Sequence, residues 1–533
     1  MTLLTVSNLS LSIHGLRILD GVTFSVAPGE IVAVTGESGS GKSMTALAAM
    51  QLLPKGATTT GHLMLGDDDL TQMSEAALCG MRGNDIGMVF QEPMTALNPV
   101  QTIGRQVAET IRVHEPSVSR AEAEARAADT LTRVGLPQDR FPLSRYPHEL
   151  SGGQRQRVVI AIAIALRPRL LIADEPTTAL DVTTQAQILT LLTRLAREDG
   201  MGLLMITHDL AVVADMADRI IVMRKGQIVE QGETQALLHN MQHPYTKMLF
   251  DASRHEVNLT AAPAPVPLLE VKGVCRDYHL PRKTLFGAPG TFRAVDNLSF
   301  TLNRGERLGL VGESGCGKST LTRAILGLEP VQKGSITVDG QPVFTGTKPN
   351  LTVRRKMQVV FQDPFGSFNP RHRVDRLVTE PFHLLDTPPQ GAERSRAIDE
   401  ALTAVGLRPA DARKYIHEFS GGQRQRIAIA RALIIRPELI LFDEAVSALD
   451  VSVRAQILDL LAELCSHYDL TYLFISHDLS VVRTVTDRVL VMQSGRIVEA
   501  GETAQVFDAP QHAYTKSLIA AAPVLPDLSQ SVG

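Results

Sequence analysis

The chain has 533 residues, enough for two to four domains that each bury a core. Hydrophobic residues make up 44% and charged residues 21%, and the net charge of -4 argues against a broadly basic surface for nucleic acid. The four cysteines lie far apart with no CxxC pair, so neither a disulfide framework nor a zinc site is indicated. No apolar run approaches the roughly twenty residues of a membrane-spanning helix.

The first elements predict a β-rich start followed by alternating strands and helices. The stretch "LLTVSNLSLSI" at 3–13 predicts an antiparallel β layer, and the later apolar runs "EIVAVTG", "LLIADEP" and "LLMITHD" predict buried strands. Residues 120–136, "RAEAEARAADTLTRVGL", have the composition and spacing of a helix. Strands alternating with helices predict a mainly parallel sheet with helices on both faces, an α/β fold.

A glycine-rich loop follows the strand "EIVAVTG". The segment "GESGSGKS" at 36–43 fits G-x-x-x-x-G-K-[ST], in which backbone N–H groups surround phosphate oxygens at a helix N-terminus. The lysine is expected to reach the β- and γ-phosphates, and the last serine to ligate Mg²⁺. The predicted nucleotide-binding residues here are Gly36, Glu37, Ser38, Gly39, Ser40, Gly41, Lys42 and Ser43.

Polar residues stand at the ends of three later strands. Asp174 is predicted to hold Mg²⁺ beside the phosphate loop, and the adjacent Glu175 to polarise an attacking water. Gln91 is predicted to touch both Mg²⁺ and that water, and His208 to hydrogen-bond the γ-phosphate. Each of these signals is weak alone, because a lone Gln is usually solvated and a lone His is usually structural.

The whole pattern occurs twice in the chain, as an internal repeat. Residues 3–13 match residues 268–278 at an offset of 265 positions, and the two phosphate loops match at an offset of 276. The rise from 265 to 276 places eleven extra residues of the second copy within 280–295. The later motifs match at an offset of 269. The Pro/Ala-rich stretch 257–267 predicts a linker between domains 1–256 and 268–533. The second set of predicted site residues is Gly312, Glu313, Ser314, Gly315, Cys316, Gly317, Lys318, Ser319 and Thr320 in the loop, with Ser319, Gln362 and Asp443 for Mg²⁺ and Gln362, Glu444 and His477 for catalysis.

A second Ser-Gly-Gly element occurs in each copy, "LSGGQRQR" at 150–157 and "FSGGQRQR" at 419–426. With the phosphate loop, the glutamine, the Asp-Glu pair, "ALD" and the late histidine, its order resembles the ATP-binding cassette (ABC) ATPases over nearly the whole chain. The resemblance implies two tandem P-loop NTPase domains, each with a parallel-sheet core, an antiparallel β subdomain and a helical subdomain. It also implies that each Ser-Gly-Gly segment binds ATP held by the opposite copy, through Ser151, Gly152, Gly153 and Gln154 and through Ser420, Gly421, Gly422 and Gln423.

The two copies differ where the resemblance implies an aromatic residue that stacks on adenine. Tyr278 matches that residue, whereas its counterpart in the first copy is Ile13. We therefore expect tighter nucleotide binding at the Lys318 site than at the Lys42 site, unless His14 stacks in place of the missing ring.

The insertion before "AVDNLSF" and the "HPYTK" and "HAYTK" segments are similar to those in ATPases of oligopeptide, dipeptide and nickel importers. The two cassettes on one chain are similar to the tandem ATPases that serve uptake of glutathione and of peptide antibiotics such as microcin C. This resemblance implies ATP and Mg²⁺ as ligands, two transmembrane permease subunits and an extracytoplasmic solute-binding protein as partners, and a place at the cytoplasmic face of the inner membrane. The tails after both segments lack cysteine, so no iron–sulfur cluster is expected. Two alternatives stay open: a soluble tandem-cassette ATPase acting on ribosomes or nucleic acid, and an exporter or regulatory ATPase.

Overall fold

A computed structural model of the protein describes residues 2–526 except 92, 179, 258, 260–264, 281–289, 347, 364–365 and 448, and except the side chains of 93 and 94. Each copy contains a six-stranded sheet and a four-stranded sheet. Neighbouring strands of each six-stranded sheet are parallel except for one hairpin at an edge, and each four-stranded sheet is antiparallel. The predicted α/β fold with two parallel cores and additional antiparallel layers is confirmed.

The strands of the two parallel cores correspond one to one. In the first copy they run across the sheet as Gln227–Glu233, Arg219–Arg224, Ile31–Thr35, Gly202–Ile206, Leu170–Asp174 and Ile86–Val89. In the second copy the same order is Arg496–Glu502, Arg488–Gln493, Arg307–Val311, Thr471–Ile475, Leu439–Asp443 and Met357–Val360.

The antiparallel sheets contain the β-rich starts of the two copies. The first has the order Leu16–Val26, Leu4–Ile13, Ala57–Leu65 and Asp68–Asp69. The second has the order Thr291–Asn303, Pro267–His279, Lys333–Val338 and Gln341–Pro342, and a two-stranded ribbon pairs Phe344–Thr345 with Lys348–Pro349.

Helices connect the strands. Those of the first copy are Lys42–Ala49, Glu75–Met81, Pro93–Ala96, Ile103–His114, Arg120–Arg133, Gly152–Ile164, Val182–Asp199, Leu210–Met216, Thr234–His239 and Pro244–Ser253, with a 3-10 turn at Pro147–Glu149. Those of the second are Lys318–Ile325, Leu351–Lys356, Val374–Val378, Gly391–Ala404, Gly421–Leu433, Val451–Tyr468, Leu479–Val485, Thr503–Asp508 and Ala513–Ala521, with 3-10 turns at Glu380–Leu384, Pro409–Arg413 and Ile416–Glu418.

The helix predicted over 120–136 ends earlier, at Arg133. Gly135 follows in the left-handed region with φ 83°, and the N–H groups of Gly135 and Leu136 donate to the carbonyls of Thr132 and Leu131. This is a Schellman motif, which closes a helix because glycine pays no Cβ penalty there.

Both faces of each parallel sheet are covered, which explains the continuous apolar runs. In strand Ile31–Thr35, Ile31 and Ala33 pack into the cluster formed with the helices, while Val32 and Val34 pack into the cluster shared with the antiparallel sheet. All five residues of this strand are buried. Parallel sheets have this property because their crossover connections lie on both faces.

The two copies also pack against each other through their last helices. Helix Pro244–Ser253 contacts helix Val451–Tyr468, and helix Ala513–Ala521 contacts helix Val182–Asp199. Val257 packs against the core of the second copy and Leu525 against the core of the first. Each copy therefore places its own end on the other.

Parts of two predicted segments lie outside the described residues, namely 258 and 260–264 of the linker and 281–289 of the insertion. Pro267, predicted as the last linker residue, is the first residue of a strand. Within the described parts of the chain, none of the helices has the length and apolar character needed to cross a bilayer.

Candidate functional site

Each phosphate loop is curled around its own lysine. The Lys42 ammonium donates to the carbonyls of Gly36 and Glu37 at 2.7 and 2.9 Å, and the lysine lies at the first position of a helix. Lys318 makes the two equivalent bonds at 2.6 and 3.0 Å. Burial lowers the pKa of Lys42, against the opposing charges of nearby carboxylates. The loop at 36–43 thus has the curved form of a phosphate-binding nest.

Glycine is required at the first position of each loop. Gly36 has φ 147°, and a Cβ there would lie 2.2 Å from the carbonyl oxygen of Met223. Gly312 has φ 154°, and a Cβ would lie 2.2 Å from the carbonyl oxygen of Met492. The loop passes so close to the neighbouring strand that no side chain fits.

Buried aspartates stand beside both loops. Asp174 ends its strand and accepts a hydrogen bond from the Ser43 hydroxyl at 3.2 Å. Burial raises the pKa of Asp174 to about 6, and burial together with the neighbouring Glu444 charge raises the pKa of Asp443 to about 6. Both carboxylates therefore lie in places where a nearby cation would favour their charged form.

In the first copy two predicted residues, Gln91 and His208, converge on the carboxylate of a third, Glu175. Glu175 receives a hydrogen bond from the Gln91 amide at 2.9 Å and one from the Thr178 hydroxyl at 2.9 Å, and His208 Nδ1 lies 3.2 Å from its other oxygen. Burial raises the pKa of Glu175, but the His208 and Thr178 contacts outweigh it and hold the pKa below its ordinary value. The Glu175 backbone has φ 47°, which non-glycine residues rarely adopt.

The second copy differs at the glutamine. His477 Nδ1 lies 3.3 Å from Glu444, as in the first copy, and Glu444 has φ 53°. Gln362, however, donates to the Ser447 hydroxyl at 3.4 Å, and that hydroxyl donates to the Glu444 carbonyl at 3.0 Å. The structure therefore brings Gln91, Glu175 and His208 together directly, whereas Gln362 reaches the Glu444 backbone through Ser447.

The Ser-Gly-Gly segments form helix N-termini held by capping boxes. The Gln154 N–H donates to the Ser151 hydroxyl at 3.4 Å, and the Ser151 N–H donates to the Gln154 side chain at 3.0 Å. Ser420 and Gln423 form the same box at 3.4 and 3.1 Å. A Cβ at Gly421 would meet nothing within 4 Å, so the surface in front of the second segment is open.

The second glycine of each segment packs against the helix after the Asp-Glu pair. A Cβ at Gly153 would lie 2.2 Å from Thr184 Cγ2, and one at Gly422 would lie 2.3 Å from Val453 Cγ1. The Ser-Gly-Gly element and this following helix are therefore in contact at one residue, which is Thr in one copy and Val in the other.

The first phosphate loop is touched by the second copy. The Ser38 N–H donates to the Asp450 carboxylate at 2.7 Å, and the Ser452 hydroxyl donates to the Glu37 carboxylate at 2.5 Å. Burial raises the pKa of Asp450, against the Ser38 hydrogen bond and the Lys42 charge. Asp450 and Ser452 are not among the site residues predicted from the sequence, although Asp450 is the aspartate of the repeated "ALD" tripeptide.

The equivalent aspartate of the first copy, Asp181, has its hydrogen-bond partners within its own cassette. Asp181 caps its own helix by accepting from the Thr184 N–H at 3.0 Å and from the Thr184 hydroxyl at 3.1 Å. Val453 stands at this place in the second copy and has no hydroxyl, and Asp450 makes no side-chain cap to its own helix. The two aspartates thus have different partners, and the residue three positions after them also differs, Thr184 in the first copy and Val453 in the second.

The Tyr278 ring is held by polar neighbours. Its hydroxyl donates to Glu329 at 2.6 Å and lies 3.4 Å from the Thr320 hydroxyl, and the Arg276 guanidinium lies 4.8 Å from the ring centroid. Ile13 pairs with Leu16 and Ala57 in its sheet. Stacking of Tyr278 on adenine stays a prediction.

An open cleft of about 820 Å³ adjoins the second site. Its lining includes Ser314, Ser319, Gln362, Asp443 and Glu444. The residues predicted for the phosphates, Mg²⁺ and the attacking water therefore face one continuous space.

Comparison with known proteins identifies the family. The profile described as "ABC transporter" matches residues 19–178 and 295–447, which together exceed half of the chain. The chain belongs to the ABC transporter family. It is an ATP-binding, ATP-hydrolysing protein with two ABC cassettes, and a second profile, "Oligopeptide/dipeptide transporter, C-terminal region", matches residues 229–261 and 498–531.

Full-length relatives of this tandem ABC protein are similar throughout. The peptidoglycan transport ATP-binding protein YejF of Agrobacterium fabrum is 46% identical over 531 residues, covering 98% of this chain and 96% of the relative. The glutathione import ATP-binding protein GsiA of Salmonella typhimurium is 46% identical over 560 residues, covering 98% and 89%. The solved dimer of the cassette MJ0796 with ADP and Pi aligns with 43% of this chain and 98% of its own, at 30% identity and a TM-score of 0.39.

The donors beside each phosphate loop suit Mg²⁺. Ser43 and Asp174 bring a hydroxyl and a carboxylate oxygen within 3.2 Å of each other, and hard oxygen donors of this kind are those that Mg²⁺ prefers. The residues present therefore fit the ion.

Proposed function

We propose that this protein energises a membrane importer of peptides or related small solutes, with two ATP sites that are shared between the cassettes. The glutathione import and peptidoglycan transport names of its relatives support the solute class, as does the match to the oligopeptide/dipeptide C-terminal region. The relatives align over nearly their whole lengths, so the proposal covers the chain as a whole.

The observation that carries the shared sites is the contact of one cassette with the phosphate loop of the other. Asp450 accepts from the Ser38 N–H, and Ser452 bonds to Glu37. A loop that takes two side chains from the second cassette is sensitive to the separation of the cassettes. Nucleotide bound there favours the closed arrangement, and binding energy that differs between open and closed states can move a partner.

Each residue then has a defined task. Lys42 and Lys318 exchange their loop carbonyls for the β- and γ-phosphates of ATP, and Ser151 and Ser420 approach the γ-phosphate in the opposite cassette. Glu175 and Glu444, ionised because their pKa values lie below the ordinary range, orient the attacking water.

The histidines and glutamines position these groups. His208 and His477 hold the glutamate carboxylates and reach for the γ-phosphate. Gln91 orients Glu175 directly, whereas Gln362 acts through Ser447.

For Mg²⁺ we assign Ser43, Gln91 and Asp174 in the first cassette and Ser319, Gln362 and Asp443 in the second. These residues would hold the ion beside the phosphates, where it would supply positive charge to offset the negative charge of the phosphate oxygens. No residue of this chain is assigned to an iron–sulfur cluster.

The domain division we propose is 1–256 and 268–533 with 257–267 between them. Two permease subunits and an extracytoplasmic solute-binding protein complete the system, and the protein lies at the cytoplasmic face of the inner membrane. The apolar covering of Val257 and Leu525 by opposite cassettes supports two units that work as a pair.

The test is transport by a reconstituted system. Candidate permease subunits are co-expressed with the protein, and uptake of labelled glutathione, a dipeptide and a muramyl peptide into vesicles is measured with ATP. We expect ATP-dependent uptake of at least one, abolished by Lys42→Ala with Lys318→Ala. Co-sedimentation with ribosomes, together with no membrane partner and no uptake, would favour the soluble tandem-cassette alternative instead.

A further inference from the structure

One side chain from the C-terminal region of each cassette reaches its phosphate loop. The Glu37 N–H donates to the Tyr245 hydroxyl at 3.1 Å, and the Glu313 N–H donates to the Tyr514 hydroxyl at 3.0 Å. Both tyrosines belong to the repeated "HPYTK" and "HAYTK" segments and are 3% and 8% exposed. The same contact therefore occurs in both cassettes, 208 and 201 residues from its partner along the chain.

The bond falls on the peptide unit that also holds the loop lysine. The carbonyl of Gly36 and the N–H of Glu37 belong to one trans peptide, so they point in opposite directions. Lys42 occupies the carbonyl side at 2.7 Å while Tyr245 occupies the N–H side. The hydroxyl thus accepts from one side of the peptide whose other side accepts from the lysine.

The segment around the tyrosine is built to hold it in place. In the first cassette the N–H groups of Gln242 and His243 donate to the two oxygens of Glu230 at 2.7 and 3.2 Å, and the Tyr245 N–H donates to His243 Nδ1 at 3.1 Å. In the second cassette the same network joins Glu499, Gln511, His512 and Tyr514. Burial raises the pKa of Tyr514 to about 12, so its hydroxyl keeps its proton at neutral pH.

We propose that Tyr245 and Tyr514 are positioning residues for ATP binding, which hold the first peptide of each phosphate loop in the orientation that its lysine requires. The inference rests on the proposed assignment of Lys42 and Lys318 to phosphate binding. It gives the C-terminal HPYT region a task inside the ATP site. In the first cassette the helix that contains Tyr245, Pro244–Ser253, also leads to the other cassette. His255 follows this helix, and its Nε2 lies 2.6 Å from the Asp459 carboxylate of the second cassette.

The experiment removes only the hydroxyls, in Tyr245→Phe with Tyr514→Phe, in the full-length protein. We expect the KM for ATP to rise about three- to tenfold, as for loss of one hydrogen bond to a site element, with kcat within about twofold. Amide hydrogen exchange of the segments around residues 37 and 313 should become faster, because their N–H groups lose an acceptor.

The matched control is Tyr472→Phe, which loses a buried tyrosine hydroxyl bond to the Val485 carbonyl; Tyr472 pairs with Arg307, at the end of the strand Arg307–Val311 that points away from the second loop. We expect it to leave the KM and the loop exchange unchanged. An unchanged KM in the double Tyr→Phe protein, or an equal rise in Tyr472→Phe, would overturn the proposal. Lys42→Ala with Lys318→Ala tests the underlying assignment separately, since retained ATP binding there would reject the loops themselves as the site.

Discussion

Glu175 and Glu444 are the residues on which the proposed hydrolysis depends. Each lies directly after a strand-ending aspartate, has a positive φ and is contacted by the histidine of its own cassette. This backbone state is not visible in the Asp-Glu dipeptide and depends on the bond from the glutamate N–H to the next strand.

Replacing both glutamates, in Glu175→Gln with Glu444→Gln, should leave ATP binding intact and lower turnover by roughly 10²–10⁴. The amide keeps the shape but cannot accept a proton from water. Steady-state phosphate release and equilibrium ATP binding are the two measurements. Glu198→Gln, at a half-exposed position on a nearby helix, is the control and should turn over normally. Near-normal activity in the double variant would rule out the assignment.

The buried aspartates make a prediction about pH. The pKa values of Asp174 and Asp443 are raised from 3.8 to about 6, so the folded state binds their protons more tightly than the unfolded state does. Their contribution to stability is fully present below about pH 3.8 and is lost as the pH rises through about 6. Each shift corresponds to on the order of 3 kcal/mol, at about 1.36 kcal/mol per pKa unit.

Asp174→Asn with Asp443→Asn should therefore raise the melting temperature of the metal-free, nucleotide-free protein at pH 8. The gain should shrink as the pH falls from 7 to 4.5, because the parent carboxylates then become neutral as well. Differential scanning fluorimetry across this range measures it, and Asp215→Asn at an exposed position is the control. A gain that is independent of pH would contradict the explanation.

Among the elements, the two long helices after the Asp-Glu pairs differ most in what they do. Helix Val182–Asp199 is capped by its own aspartate, whereas the aspartate before helix Val451–Tyr468 reaches the first phosphate loop. The residue three positions after the aspartate differs as well, Thr184 in one helix and Val453 in the other, and both residues pack against the Ser-Gly-Gly glycines.

Exchanging these residues should exchange the contact. Val453→Thr gives Asp450 a hydroxyl donor in its own helix that competes with the Ser38 N–H. We therefore expect ATP affinity at the Lys42 site to fall about two- to tenfold. Thr184→Val frees Asp181, so affinity at the Lys318 site should rise or stay equal but not fall. Binding is measured with the other site silenced by Lys318→Ala or Lys42→Ala. Thr190→Val, on the exposed side of the same helix, is the control, and a fall in affinity at both sites would reject the reasoning.

For the molecule as a whole, the important property is that the two cassettes contact each other through helices and at a phosphate loop. The last helix of each cassette packs on the other cassette, and the first phosphate loop receives Asp450 and Ser452. The Ser-Gly-Gly segments, held as helix N-termini, are presented for the same purpose, and their approach to the opposite ATP stays a prediction.

The shared sites can be tested with paired variants. In a Lys42→Ala background, where only the Lys318 site binds ATP, Ser151→Arg should abolish the remaining turnover while ATP binding persists. Ser420→Arg, which carries the same change in the other cassette, should have little effect there. The pattern must invert in a Lys318→Ala background. If the two arginine variants behave alike in both backgrounds, the sites are not shared in this way.

The sequence by itself determined the repeat, the α/β class, the phosphate loops and the polar residues at strand ends, because these follow from short spacings and local hydrogen bonds. Tertiary structure alone decided that Tyr245 and Tyr514 reach the loops, and that Asp450 hydrogen-bonds the opposite phosphate loop while Asp181 caps its own helix. The contacts with the loops join residues hundreds of positions apart, so they depend on how packed helices are placed. We expect the hydroxyl that is present in Thr184 and missing in Val453 to favour the helix cap in one copy and the contact between cassettes in the other.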